Sequence, residues 1–186
     1  MRRFFITKIA MLLSIITLGQ QGNTSLENNK FKFRSIQSGF GIYHSKPQNN
    51  DLYDHSGITV NGLVSMSYKK NIFSFHLETG TELVFINFGD DPELQGFYGV
   101  NLLYGRELEL TRWLKIEGNI GIGLYHHKIT TKSGTTDQKN VLGIPINTKL
   151  LFYPAKRFAF GLSPFVNFNS INTTYSGNVV FQYKFN

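Results

Sequence analysis

Apolar side chains recur at every second position through most of this chain, beginning at about residue 35. In residues 114–124, one face carries Leu114, Ile116, Ile120, Ile122 and Leu124, and the other carries Lys115, Glu117, Asn119, Gly121 and Gly123. A period of two is typical of a β-strand whose two faces meet different surroundings, whereas a helix repeats about every 3.6 residues. The pattern therefore predicts an all-β protein.

Eight segments of this kind can be delimited. They span residues 35–44, 58–69, 72–88, 96–108, 113–127, 141–153, 158–169 and 173–185. Most are longer than the usual strand of about five or six residues. Long polar connections alternate with tight ones for most of the chain, which is typical of antiparallel neighbours in an up-and-down order. Eight long strands in that order can close into a barrel and leave no exposed edge.

Side-chain size decides which face of the strands points outward. The interior of an eight-stranded barrel is only just wide enough to be filled by side chains. The apolar face is dominated by Phe, Tyr, Leu and Ile, whereas the opposite face is rich in Gly, Asn and Ser. The bulky face must then point outward, where only lipid tolerates it. We therefore predict an eight-stranded antiparallel up-and-down transmembrane β-barrel with a narrow, side-chain-filled lumen. The alternative is a soluble lipocalin-like binder with the apolar face inside.

Aromatic residues near both ends of the segments predict the two girdles that flank the apolar band of an outer-membrane barrel. We expect Tyr68, Phe73, Tyr104, Trp113, Phe158 and Tyr183 in one girdle and Tyr43, Phe85, Tyr98, Phe168 and Tyr175 in the other. A strand of about thirteen residues, tilted by about 40°, rises about 33 Å and can cross an apolar band of about 25 Å.

The first residues have the pattern of a secretory signal peptide. A short basic stretch ending at Lys8 precedes an apolar run, Ile9 to Leu18, and the chain then becomes polar. The run is too short for a spanning helix, which needs about 20 residues. We predict a signal peptide at residues 1–19 with cleavage near Gly19-Gln20, a periplasmic segment at 20–34 and an outer-membrane barrel at 35–186. The expected location is the outer membrane.

Charge and composition exclude several classes of partner. The formal net charge of +7 falls to +4 once Arg2, Arg3 and Lys8 are removed with the signal peptide. No run of Lys and Arg exceeds a pair, so a nucleic-acid partner is not expected, because phosphate binding needs clustered cations. The chain has no Cys and its histidines lack metal-ligand spacing, so we expect neither a metal nor another cofactor.

The last strand, Gly177-Asn178-Val179-Val180-Phe181-Gln182-Tyr183-Lys184-Phe185, resembles the C-terminal strand of the small eight-stranded outer-membrane barrels of Gram-negative bacteria, with Asn186 as one extra residue. Residues 143–170 are similar to small barrels of the Bacteroidota. The resemblance implies contact with outer-membrane lipid and lipopolysaccharide, and insertion by the barrel-assembly machinery. It also implies that the assembly signal consists of Val179, Phe181, Tyr183 and Phe185.

Ionisable side chains with inward parity are the first candidates for a functional site. They are His76, Glu78, Glu82, Lys115, Glu117 and Lys149. Opposite charges in a narrow lumen should pair, because an unpaired buried charge is costly. We therefore expect a polar network that plugs the barrel.

No motif assigns a catalytic residue. One family of small barrels hydrolyses an acyl ester of lipopolysaccharide with a His-x-Ser motif on a lipid-facing strand, and no His-x-Ser occurs here. The pairs His44-Ser45 and His55-Ser56 have the wrong spacing for that motif. A non-enzymatic outer-membrane protein, structural or recognising an extracellular partner through its long loops, is therefore favoured. Hydrolysis of a lipid A or phospholipid ester is the alternative.

Overall fold

The computed structural model describes residues 30–48, 54–82, 94–130 and 136–185 and contains eight strands within them. The strands are β1 (Lys32–Pro47), β2 (His55–Tyr68), β3 (Asn71–Glu82), β4 (Leu94–Glu109), β5 (Leu114–Thr130), β6 (Thr136–Phe152), β7 (Phe158–Asn169) and β8 (Asn172–Lys184). Each strand pairs antiparallel with the next, and β8 pairs with β1 to close the barrel. The predicted eight-stranded up-and-down barrel is confirmed.

The two ends of the barrel differ in the length of their connections. Residues 69–70, 110–113 and 153–157 link strands at the end where β1 begins and β8 finishes, which we call the short-turn end. Residues 48–54, 83–93, 131–135 and 170–171 link strands at the opposite end, which we call the loop end. Outer-membrane barrels have short periplasmic turns and longer extracellular loops, so we expect the short-turn end on the periplasmic side.

Several strands extend further toward the loop end than the apolar alternation indicates. The strand expected at 35–44 continues to Pro47, and β5 and β6 continue the ladder to the pair Thr130–Thr136. Backbone pairing does not require apolar side chains, so a ladder can continue into polar sequence beyond the lipid band. Leu83 and Phe85, which we expected in the third strand, lie outside the described residues, as does the predicted signal peptide. No helix in the described ranges is long and apolar enough to cross a membrane.

The apolar face points outward, as the side-chain volumes predict. On β5, Ile120 is 53% exposed, whereas its neighbour Asn119 is 5% exposed. The same alternation holds on all eight strands, and it places large aliphatic and aromatic residues over the whole exterior. A soluble lipocalin-like barrel would hold these side chains inside, so the observed orientation contradicts that alternative.

Most of the predicted girdle residues lie on the exterior, but Tyr43 does not. At the short-turn end, Trp113 packs against Phe152 and Phe73 against Tyr104. Tyr43 was expected in the loop-end girdle and is instead 2% exposed inside the barrel. Its odd position on β1 gives it the same parity as the inward glycines of that strand, so the expectation from its place near the strand end was wrong.

Four inward glycines allow the sheet to bend tightly. A Cβ at Gly41, Gly57, Gly121 or Gly161 would lie 1.9–2.0 Å from the carbonyl oxygen of a residue on the adjacent strand. No other residue type fits at that distance without movement of the backbone. Glycines of this kind mark sharp bends in barrels, and here they let eight strands close around a narrow bore.

Candidate functional site

Charged side chains form a cluster in the bore at the short-turn end. Lys149 Nζ donates to Glu117 Oε1 at 2.6 Å, and neither residue has any accessible surface. Lys184 Nζ donates to Glu107 Oε2 at 3.0 Å, and Lys115 Nζ lies 3.4 Å from Glu107 Oε1. Opposite charges are therefore paired throughout this cluster, which crosses the bore from β4 and β5 to β6 and β8.

Arg34 completes the charged cluster and was not anticipated from the sequence. Its guanidinium donates to Glu107 and, at 3.3 Å, to Glu117. The β1–β2 register skips one residue between Phe33 and Ser35, so Arg34 occupies a β-bulge. A bulge re-aims a side chain, and here it turns an even-numbered residue inward on a strand whose odd positions face the bore.

The same bulge explains why the boundary expected at residue 35 differs from the observed start of β1 at Lys32. Alternation is counted from one residue to the next, and an extra residue reverses the parity of everything before it. Lys32 and Phe33 therefore fall out of phase with the rest of β1, although they pair with Ser67 and Met66. Alternation in the sequence does not show where a bulge lies, so it could not predict this start of β1.

Amide side chains and His76 occupy the middle of the bore. Asn101 Nδ2 donates to His76 Nδ1 at 3.1 Å, and the His76 ring lies 5.1 Å from that of Phe165. Glu78 is buried beside Asn101 and Asn167 rather than beside a cation. The predicted neighbours His76 and Glu78 thus share one face, yet each contacts an amide.

Glycines on adjacent strands make room for these amides. The Asn101 Oδ1 atom lies 1.9 Å from the position that a Cβ would take at Gly123, and Asn119 Oδ1 lies 2.0 Å from that position at Gly105. Both amides are cross-strand partners of these glycines. Each asparagine therefore lies flat along the wall over a residue with no side chain, which is how polar groups of this size fit a narrow lumen.

Aromatic rings close the bore at the loop end. The ring of Phe97 meets Tyr43 edge-on with a centroid distance of 4.9 Å and stacks on Tyr125 at 5.3 Å. Tyr125 Oη lies 3.1 Å from Thr174 Oγ1, and the rings of His55 and His127 lie 5.5 Å apart just beyond this layer. The alternation of β5 gives Tyr125 the inward parity of Gly123, but it does not predict that three rings meet there.

The remaining predicted residues take positions at the margins of these layers. Glu82 Oε2 accepts a 3.3 Å hydrogen bond from the backbone N–H of Gln95. Glu82 therefore links the loop ends of β3 and β4 and is not part of the charged cluster. Among the described residues, no group of three or more His, Asp or Glu side chains is arranged to hold a metal ion. The side chains of the predicted assembly signal, Val179, Phe181, Tyr183 and Phe185, all lie on the exterior of the barrel.

Comparisons with known proteins agree with this architecture. No family model and no curated protein matches the chain. Among solved structures, Neisserial surface protein A (NspA) is 8% identical over 84% of this chain and 99% of its own, with a TM-score of 0.70. Ail, the attachment invasion locus protein of Yersinia pestis, crystallised with the heparin analogue sucrose octasulfate, is 12% identical over 83% and 100%, with a TM-score of 0.57. Both are small eight-stranded outer-membrane barrels, and the chain shares their fold.

Proposed function

We propose that this chain is an integral outer-membrane protein that acts at the cell surface through its loop end and carries no solute through its bore. The observation that carries the proposal is the double closure of the bore. Lys149, Glu117 and Asn101 are completely buried in the bore. The aromatic layer of Tyr43, Phe97 and Tyr125 adds a second closure toward the loops. The interior of an eight-stranded barrel is so narrow that side chains fill it and leave no aqueous channel.

The distribution of charge supports the orientation of the barrel. Cations concentrate at the short-turn end, where three glutamates, Glu107, Glu109 and Glu117, accompany them. These cations are Lys30, Lys32, Arg34, Lys69, Lys70, Arg106, Arg112, Lys115, Lys149, Lys156, Arg157 and Lys184. Those in the short turns stand next to the Trp113 girdle, at the level of the phosphate groups of the inner-leaflet lipid. We assign the cations of the short turns, Lys69, Lys70, Arg112, Lys156 and Arg157, to contacts with phospholipid headgroups on the periplasmic side.

The loop end has the opposite balance, which limits the kind of extracellular partner. Its three long connections carry Asp51, Asp54, Asp90, Asp91 and Glu93 against the single Lys132. The strand ends beside them add two acidic residues and three basic ones, Glu82, Asp137, Lys46, Lys128 and Lys139, so acidic residues still predominate. A polyanion such as the sulfated sugar bound by Ail would be repelled by this set. We therefore propose that the loops recognise a neutral or cationic partner.

Conductance across a planar lipid bilayer tests the closed bore. Refolded protein should insert without producing stable conductance steps, because both layers block water and ions. The combined variant Lys149→Ala, Glu117→Ala, Tyr43→Ala and Phe97→Ala removes side chains from both layers and should conduct. Heat-dependent mobility on a gel verifies that both proteins are folded. Ohmic steps from the unaltered barrel would overturn the proposal.

Epitope insertions test the orientation. A tag inserted in the connection 131–135 should be detected by antibody on intact cells, and a tag inserted in the turn 153–157 should be detected only after the outer membrane is opened. The reverse pattern would overturn the assignment of the loop end to the outside.

The proposal also covers how the chain reaches the outer membrane and is inserted there. We propose that residues 1–19 direct export and are removed near Gly19-Gln20, and that the barrel-assembly machinery inserts the mature chain through its last strand. Mass spectrometry of the N-terminus of the purified protein tests the cleavage position. The relationship of residues 143–170 to small barrels of the Bacteroidota stays a prediction.

A further inference from the structure

His44, Ser56 and Asp54 form a line of three side chains on the outer wall at the loop end. His44 on β1 and Ser56 on β2 are cross-strand partners, and Ser56 Oγ lies 2.9 Å from His44 Nδ1. On the far side of the imidazole, Asp54 Oδ2 lies 3.6 Å from Nε2. A hydroxyl, an imidazole and a carboxylate in this order are the parts of an activated serine nucleophile.

The line sits at the border between the apolar and polar zones of the exterior. On β1 and β2, the next outward residues toward the bilayer centre are Ile42 and Ile58, both exposed apolar side chains. On β8, the cross-strand partner of His44 is Tyr175, an exposed ring of the loop-end girdle. Girdle rings mark the level of the membrane–water interface. The ester groups that join acyl chains to a lipid headgroup lie at this same boundary.

An open groove runs from this line down the outer wall. It has a volume of about 580 Å³, and Ile42, His44, Ser56, Tyr175 and Gly177 contribute to its lining. Gly177 forms a gap in the wall, since a Cβ there would meet no other atom within 4 Å. The lining is mainly apolar, and the groove opens on the face of the barrel that lipid covers. An acyl chain lying over Gly177 against Ile42 would therefore bring its ester to Ser56.

We propose that Ser56, His44 and Asp54 hydrolyse the ester-linked acyl chain of a membrane lipid in the outer leaflet. This activity goes beyond the proposed function, because it belongs to the outer wall and does not use the bore; Asp54 is its one residue in a loop-end connection. Ser56 is the nucleophile, His44 is the general base and Asp54 is a positioning residue for the imidazole. The groove over Gly177 holds the acyl chain.

The reaction balances with water as the second reactant. The neutral imidazole carries its proton on Nε2, facing Asp54, and Nδ1 accepts the proton of Ser56 as Oγ bonds to the ester carbonyl carbon. The bond from that carbon to the lipid alcohol oxygen then breaks, and the imidazolium returns its proton to the leaving alkoxide. Water repeats the sequence on the acyl-serine and releases a fatty acid together with the regenerated hydroxyl.

Release of fatty acid from defined vesicles tests the proposal. Refolded protein is reconstituted in vesicles of phosphatidylethanolamine in one arm and of lipopolysaccharide with phosphatidylethanolamine ether lipid in the other, and free fatty acid is measured by mass spectrometry. Release in one arm supports the proposal and identifies the lipid source. Ser56→Ala should lower the rate by about a hundredfold or more, whereas Ser38→Ala, an exposed serine on the same face of β1, should leave it unchanged. No release in either arm, or equal release from Ser56→Ala, overturns the proposal.

Covalent labelling gives a readout that does not depend on the choice of lipid. A fluorophosphonate probe should modify Ser56 and leave Ser38 unmodified, as determined by peptide mass spectrometry. Replacing His44 with Ala should abolish this labelling while the heat-dependent gel mobility of the folded barrel is retained. Labelling that persists without His44 would contradict activation of Ser56 by the imidazole.

Three further variants separate the groove from the reacting groups. Gly177→Trp fills the groove and should raise KM or abolish release, whereas Gly118→Trp, at an equally open outward glycine nearer the short-turn end, should have no effect. Asp54→Asn should lower kcat with KM unchanged, because the amide positions the ring but cannot stabilise the imidazolium. An effect of Gly118→Trp equal to that of Gly177→Trp would overturn the assignment of the groove.

Discussion

Lys149 Nζ donates a 2.6 Å hydrogen bond to Glu117 Oε1 inside the barrel, and both side chains are completely inaccessible to solvent. The same carboxylate accepts from Asn119 at 3.2 Å and from Arg34 at 3.3 Å. Removing two charges from water is costly, and the mutual attraction repays that cost only where such partners satisfy the remaining groups. The pair is therefore a position where losing one partner matters more than losing both.

We expect Lys149→Met to destabilise the barrel by about 3–5 kcal/mol, because it leaves Glu117 buried without its closest cation. The double variant Lys149→Met with Glu117→Leu should recover most of that loss, since it removes the uncompensated charge as well. Urea unfolding of protein refolded in vesicles, followed by the fluorescence of the single tryptophan, Trp113, measures the free energy of unfolding. A double variant as unstable as the sum of its single variants would contradict this account.

An arginine introduced on the outer face should be most harmful at the bilayer centre. Ile120 lies midway along the outward apolar residues of β5, and Leu124 lies close to the loop-end border of the same strand. We expect Ile120→Arg to lower the free energy of unfolding by about 2–4 kcal/mol and Leu124→Arg to lower it by about 0–1 kcal/mol. The same urea titration measures both. Equal losses at the two depths would argue against a lipid-covered wall.

Alternation in the sequence was sufficient to predict the fold and the two faces of the sheet. Ile120 and Asn119 differ in exposure as their parity requires, because a strand's side chains point in opposite directions whatever its partners are. The long strands and the small residues of the polar face then predicted a closed barrel, because closure places that face inside and leaves no strand edge unpaired.

Alternation in the sequence could not predict the features that depend on the register between strands. Arg34 enters the bore because a bulge reverses the parity of β1, and no residue type at that position signals a bulge. His44 and Ser56 come together only because the β1–β2 ladder aligns them. Along the chain, each histidine has only an adjacent serine, in His44-Ser45 and His55-Ser56, and that spacing does not indicate a nucleophile and its base. Register is set by turn geometry and by the whole sheet, so a local pattern does not specify it.

Gly161 on β7 should tolerate no side chain. A Cβ there would lie 1.9 Å from the carbonyl oxygen of Leu150 on β6, which belongs to the backbone and cannot rotate away. We expect Gly161→Ala to destabilise the barrel by about 1–3 kcal/mol through strain. Gly118→Ala, at an outward position with open space around it, should change the free energy of unfolding by less than about 0.5 kcal/mol. Similar effects of the two substitutions would contradict the role of inward glycines in closing the barrel.

Phe181 and Phe160 offer a matched test of the predicted assembly signal. They are cross-strand partners on β8 and β7, and they are 41% and 42% exposed on the outer wall. Because the two rings are equally exposed on the outer wall, Phe181→Ala and Phe160→Ala should cost similar free energy once the barrel is folded. Only Phe181 belongs to the alternate aromatic positions of the last strand, so only its loss should slow insertion severalfold when the assembly machinery is present in the receiving vesicles. Insertion without the machinery, followed by heat-dependent gel mobility, should proceed equally for both variants. If the two variants insert equally with the machinery as well, Phe181 stabilises the barrel as any aromatic residue of the outer wall does and carries no signal.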